Sequence, residues 1–240
     1  MGDRAVPPRL SAAERLLDVY GSLHTAYGPQ RWWPGETPFE VIVGAVLTQS
    51  AAWTNVEKAI ANLKAAGVLS PEGLARVDER ELARIVRPAG YFNAKARKLK
   101  AFVEMLKAEF GGDPSTPLRT GLERMLSAPA AELRPLLLAT HGIGPETADA
   151  VLLYAAGRPV FVIDAYTRRL FSRLGVAPDR DTYDAWQALF EANLEPDAAL
   201  FNEYHALIVR HGKERCRRRP VCDGCPLMAV CPVGQARAAA

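Results

Sequence analysis

The chain has 240 residues, with 30 Lys and Arg against 27 Asp and Glu for a formal charge of +3, and it is 49% apolar and 24% charged. This is globular composition; it excludes disordered and collagen-like classes and gives one domain or two small ones enough apolar material for a core. No apolar run approaches the roughly 18 residues of a membrane span, and Met1 to Leu10 is polar and proline-bearing, without the apolar stretch of a secretory leader. All four cysteines lie after residue 215. That is not a disulfide framework, and clustered thiols predict a reducing compartment, the cytoplasm, and a metal centre.

Helix signals begin at Ser11. Ser11 with Glu14, Thr37 with Glu40 and Asp78 with Glu81 have the spacing at which a side chain accepts from orphan amides while a carboxylate reaches back. Pro38 after Thr37 and Pro71 after Ser70 follow the N-cap then N1 order. About a dozen short helical segments punctuated by Gly, Pro, Asn or Asp are read between Ser11 and His211, and only Val160 to Ile163 reads as extended. The expected class is all-α.

Two stretches concentrate positive charge. Arg84 to Lys107 carries seven basic residues against Glu104, and Arg210 to Arg219 carries six against Glu214. Each run alone is equally a solvated helix face; together they suit contact with phosphates.

The sharpest local signal is Thr140-His141-Gly142-Ile143-Gly144-Pro145-Glu146-Thr147-Ala148, set between the helical runs Ala130 to Ala139 and Thr147 to Ala156. It reads as helix, tight hairpin, helix. Two glycines let the backbone turn sharply and approach a ligand, and the amides opening the second helix suit a phosphate. A plain corner between two helices is the competing reading. Asp164, eighteen residues beyond Glu146, closes the apolar stretch Val160 to Ile163. A carboxylate there serves as a helix N-cap or as a catalytic base, and the two roles are compatible.

These motifs, with the C-terminal cysteines, resemble the helix-hairpin-helix DNA glycosylases of the endonuclease III superfamily from roughly Trp32 to Cys231. The resemblance implies two helical domains: a six-helix barrel over 36–149 ending in the hairpin, and a terminal domain from 1–35 and 150–240. The active site is expected in the cleft between them. It further implies double-stranded DNA with a damaged base as partner, a monomeric protein and work at the nucleoid. In lyase members a lysine lies two positions after the second hairpin glycine; here it is Glu146, which cannot form a Schiff base. A monofunctional enzyme is therefore implied, with Asp164 stabilising charge on the sugar and activating water.

Arg31-Trp32-Trp33-Pro34, Gly44 to Gln49 and Arg87 to Asn93 are similar to the branch that excises methylated purines. There aromatic and proline surfaces sandwich the flipped base, which assigns Trp32, Trp33, Pro34 and Trp53 to the base pocket; a core role for these aromatics is the alternative. Lys213 matches a lysine beside that pocket, or meets a phosphate. Gly142, Ile143, Gly144, Thr147, Arg169, Arg217, Arg218 and Arg219 are expected at the DNA, and Gln49 or Ser50 is expected to fill the gap left by the flipped base. The spacing C-x5-C-x2-C-x5-C of Cys216, Cys222, Cys225 and Cys231 is one residue shorter in its first interval than is usual for the superfamily's 4Fe-4S cluster. Such a cluster is expected, with zinc the alternative. The competing functions are an endonuclease III-like glycosylase for oxidised pyrimidines, with or without lyase activity, and a DNA-binding protein that senses lesions without catalysis.

Overall fold

A computed structural model describes residues 10–113 and 115–239. The reading of a polar, leaderless N-terminus lies outside the described residues up to residue 9. The chain forms α1 (Ala12–Tyr27), α2 (Pro38–Thr48), α3 (Trp53–Ala65), α4 (Pro71–Arg76), α5 (Glu79–Ile85), α6 (Phe92–Phe110), α7 (Leu118–Ser127) and α8 (Ala130–Ala139). It continues with α9 (Pro145–Ala150), α10 (Ala165–Arg173), α11 (Tyr183–Glu191), α12 (Ala198–Glu214) and α13 (Pro232–Ala238). The fold is all-α, and no strand forms among the described residues.

Caps form where the sequence puts them, with one difference. Only Ser11 makes the reciprocal box, its side chain accepting from the Glu14 amide while Glu14 accepts from the Ser11 amide at 2.7 Å. Thr37 accepts from the Glu40 amide and Asp78 from the amides of Arg80 and Glu81. Glu40 accepts instead from the Glu36 amide and pairs with Lys64 at 3.0 Å.

Two units make up the chain: the described residues up to Trp32 with those from Phe161 onward, and Trp33–Val160. The second unit runs past residue 149 because α9 continues into one turn of π-helix, Val151–Ala155, whose Val151 and Leu152 enter that unit's core. There they join Ile42, Val46, Leu47, Leu99, Phe102 and Leu137, all buried. Across α8 and α9, Arg134 grips the fully buried Asp149 at 2.7 and 3.1 Å.

Phe161 anchors the core of the other unit, stacked on Phe190 at 4.0 Å between ring centroids. Buried Tyr204 of α12 donates its hydroxyl to the carbonyl of Leu16 in α1 at 2.6 Å. The stretch Val160 to Ile163 forms no strand, and side chains satisfy part of its backbone. Glu191 accepts from the Phe161 amide, Gln187 donates to the Phe161 carbonyl, and Tyr183 accepts from the Ile163 amide.

The first basic run is spent partly inside its own unit and is not wholly a solvated helix face. Buried Lys95 donates to the carbonyls of Leu47 (2.9 Å) and Ala89 (2.6 Å), the ends of α2 and of the turn before α6. Lys100 closes α4 through the carbonyls of Leu74 and Ala75. Burial, helped by neighbouring Lys98, pushes the Lys95 ammonium below the usual lysine range. Lys95→Met keeps the stem and strands two buried carbonyls, so it should cost about 1–3 kcal/mol in denaturant melts. An unchanged midpoint would show that those carbonyls find other partners.

Candidate active site

Asp164 is the N-cap of α10, with extended backbone (φ −118°). Its Oδ1 accepts from the Thr167 amide at 2.7 Å and the Thr167 hydroxyl at 3.0 Å. Its Oδ2 lies 3.7 Å from Nε2 of His205, a buried residue of α12. Burial lowers the His205 pKa below 6.5 and Asp164 opposes that shift. One oxygen is thus fixed by the helix start, while the carboxylate as a whole retains 12% side-chain exposure. A carboxylate so oriented can stabilise a nearby cation or take a proton from water. His205 was missed from sequence because it lies 41 positions away on another helix.

In the Trp33–Val160 unit, Trp33 meets Trp53 edge-on, centroids 5.3 Å apart at 85°, and Tyr154 at 5.2 Å. Trp33 lies flush on Gly44 of α2, where a Cβ would stand 3.2 Å from the indole nitrogen. Tyr154, unforeseen from sequence, projects from the π-helical turn, a feature whose only sequence trace is an uninterrupted apolar run. Pro34 is exposed in the same unit. Trp32 belongs to the other unit, where the Lys213 ammonium stands 6.0 Å from its ring centroid.

The hairpin forms as read. Gly144 caps α9 with Pro145 at its first position, and Gly142 adopts φ +79°, a conformation that favours glycine. Glu146 is exposed in the first turn of α9. Ile143 and Thr147, expected at DNA, turn their side chains inward. Ile143 is buried in the core, its amide donating to the Thr140 carbonyl at 3.1 Å, and Thr147 accepts from Gln49 at 2.9 Å. Arg169 donates to the carbonyls of Gly212 and Cys216, while Arg217, Arg218 and Arg219 are exposed.

All four cysteines line one cavity, along with Leu170, Leu227, Met228 and Val233, and none is in a disulfide. Among the described residues no three His, Cys, Asp or Glu side chains converge as on a single ion. Arg173 donates to Cys216 Sγ at 3.2 Å and to the carbonyls of Arg217 and Arg218 at 2.7 and 3.0 Å. The Gly234 amide donates to Cys231 Sγ at 3.4 Å. Beside the cavity, Tyr27 hydrogen-bonds Nδ1 of His211 at 2.8 Å, and burial, aided by Arg215 and opposed by Glu214, pushes that imidazole down to about 4. No helix among the described residues is long and apolar enough to cross a membrane.

Comparison with known proteins agrees with this geometry. Residues 43–196 match the model of the HhH-GPD superfamily base excision DNA repair protein. A Methanocaldococcus jannaschii protein whose name places it among DNA repair glycosylases is 44% identical over 218 residues, 91% of this chain and 96% of its own. Endonuclease III of Sulfolobus acidocaldarius is 28% identical over 195 residues, covering 80% of this chain and 81% of its own. Among solved structures, the 3-methyladenine DNA glycosylase of H. pylori bound to 1,N6-ethenoadenine superposes with a TM-score of 0.69. It has 29% identity, with 85% of this chain and 98% of that one covered. An endonuclease III–DNA complex shares the fold, with a TM-score of 0.78 at 21% identity over 97% of this chain and all of that one.

The cysteine loop depends on Arg173 for three hydrogen bonds. Arg173→Met should therefore speed tryptic cleavage at Arg217 to Arg219 several-fold, read by mass spectrometry of the fragments. Equal cleavage rates would mean that the loop is held by other contacts.

Proposed function

The chain belongs to the HhH-GPD superfamily of base excision DNA repair proteins and is a DNA glycosylase, and we propose that it is a monofunctional one that hydrolyses the N-glycosidic bond of alkylated purines in duplex DNA. The observation that carries this reading is the aromatic cluster of Trp33, Trp53 and Tyr154. Ring alkylation makes a purine cationic or strongly polarised, and such a base stacks favourably on electron-rich indole and phenol faces. Likeness to a 3-methyladenine glycosylase at 29% identity supports the same choice. Pro34, of the same unit, is assigned to the same pocket.

Alkylation also weakens the bond to be broken, so the enzyme has little acid catalysis to supply. Departure of the base with the bonding electrons leaves positive charge on the sugar; Asp164 stabilises it and accepts a proton as water oxygen bonds to C1′. The Thr167 bonds hold Oδ1 in place through this step. Glu146, at the hairpin position of a lyase lysine, supports hydrolysis without strand cleavage. Gly142, Gly144 and the exposed Arg217, Arg218 and Arg219 are assigned to phosphates.

The residues around the cysteine cavity fit a 4Fe-4S cluster held by Cys216, Cys222, Cys225 and Cys231. Four thiolates spread round one apolar hollow suit four irons, one ligand each, better than the close tetrahedron of zinc. When bound, the cluster would pin the loop that carries Arg217 to Arg219.

Asparagine caps a helix as well as aspartate does, so Asp164→Asn should keep the fold and DNA affinity while excision falls at least a hundredfold, on the order of a lost general base. Wild-type turnover in that variant would remove Asp164 from the mechanism. Duplexes carrying a methylated purine or an oxidised pyrimidine, each analysed with and without alkali, test the substrate. Free methylated base with breaks only after alkali is expected. Alkali-independent breaks at the oxidised pyrimidine would replace this reading with an endonuclease III-like one, and no base release from either would favour a non-catalytic sensor.

A further inference from the structure

The cysteine cavity is lined by more than thiols and apolar side chains: Arg173 of α10 and His211 of α12 also face it. His211 is buried, and a buried imidazole needs a partner at each nitrogen. Its Nδ1 lies 2.8 Å from the hydroxyl of Tyr27, the last residue of α1, and its Nε2 faces Sγ of Cys225 at 3.9 Å. The His211 carbonyl accepts from the amides of Arg215 and Cys216, both at 2.8 Å. One residue thus holds the backbone at the first cysteine and meets the sulfur of the third.

The imidazole is fixed in this orientation. Arg210 clamps Tyr27, with its guanidinium carbon 4.7 Å from the centre of the phenol ring and its Nη1 donating to the Tyr27 carbonyl at 3.1 Å. On the other side of His211, Tyr166 packs so tightly on Gly212 that a Cβ there would stand 2.4 Å from the ring, which seats α12 at this turn.

The sulfur then decides the tautomer. A thiolate that ligates a metal carries no proton and can only accept, so the hydrogen sits on Nε2, and Nδ1 accepts from Tyr27. Two further sulfurs meet N–H donors: Cys216 from Arg173 at 3.2 Å and Cys231 from the Gly234 amide at 3.4 Å. Such donors draw electron density from ligand sulfur and favour the electron-rich state of a metal centre. Leu170, Leu227 and Val233 line the same cavity, and in apolar surroundings each donor acts more strongly.

We propose that His211 is a positioning residue for the metal centre: held by Tyr27, it donates through Nε2 to the Cys225 ligand sulfur and, with Arg173 at Cys216, raises the reduction potential of the cluster. The inference rests on the 4Fe-4S reading of the cysteine cavity but not on which base is removed. Through Tyr27, the end of α1 bears on that potential.

Voltammetry of the purified holoprotein tests the assignment. His211→Leu removes the donor and should shift the potential negative, while His211→Gln, whose amide nitrogen reaches about as far as Nε2, should recover most of the shift. Tyr27→Phe spares the donor but loosens the ring, and should shift the potential less in the same direction. A second measurement needs no substitution: with isotopically labelled histidine nitrogen, pulsed EPR of the cluster in a paramagnetic state should show coupling to an imidazole nitrogen in the wild-type protein. Where His211→Leu fails to retain its cluster, that coupling and the Tyr27→Phe potential decide. A brown His211→Leu protein at the wild-type potential, or a wild-type cluster without histidine coupling, would overturn this assignment alone. A colourless, zinc-bearing protein would overturn the cluster reading along with it.

Discussion

Short helices end often, and each end leaves carbonyls without partners. In this chain cationic side chains close those ends. Lys95 serves α2, Lys100 serves α4, Arg158 donates to the carbonyls of Leu126 and Ala128 at the end of α7, and Arg15 reaches Leu174 and Gly175 beyond α10. Arg210 donates to the last carbonyl of α1, and Arg169 to Gly212 near the end of α12. Each placement meets the negative end of a helix dipole with a positive charge. The position of the turn after α2 follows from the Lys95 bond.

That constraint also separates what could be read in the sequence from what could not. Local signals were legible: Ser11, Thr37, Ser70 and Asp78 cap the helices they precede, and the glycine hairpin lies between α8 and α9. Asp164 could be recognised as a helix N-cap because that role leaves a local mark, a carboxylate closing an apolar run just before a helix. The fate of a cation was not legible, since Lys95, Lys98 and Lys100 share one helix with Lys107 yet find partners 48, 49 and 26 positions away. Tyr154 and His205 were hidden for the same reason: nothing near them in the chain announces a ring or a carboxylate brought close by the fold.

Residues assigned to the proposed site also serve the fold. Asp164 starts a helix, Gln49 closes a contact between elements, and Gly44 makes room for Trp33, so each has structural work to do. Left-handed backbone at the non-glycine residues Arg31, Ser50 and Tyr91 departs from this economy, since glycine would be more relaxed there.

The bond from Tyr204 to the Leu16 carbonyl joins residues 188 positions apart. As the chain leaves the ribosome, α1 and its apolar side chains Leu16, Val19 and Leu23 must wait for α12, which at about 5–20 residues per second means roughly 10–40 seconds. In that interval the Trp33–Val160 unit acquires all its own helices and can fold around its own core, while α1, made first, waits as a lone amphipathic segment. Biogenesis therefore runs from the middle of the molecule outward, and the burden on chaperones falls on its first helix.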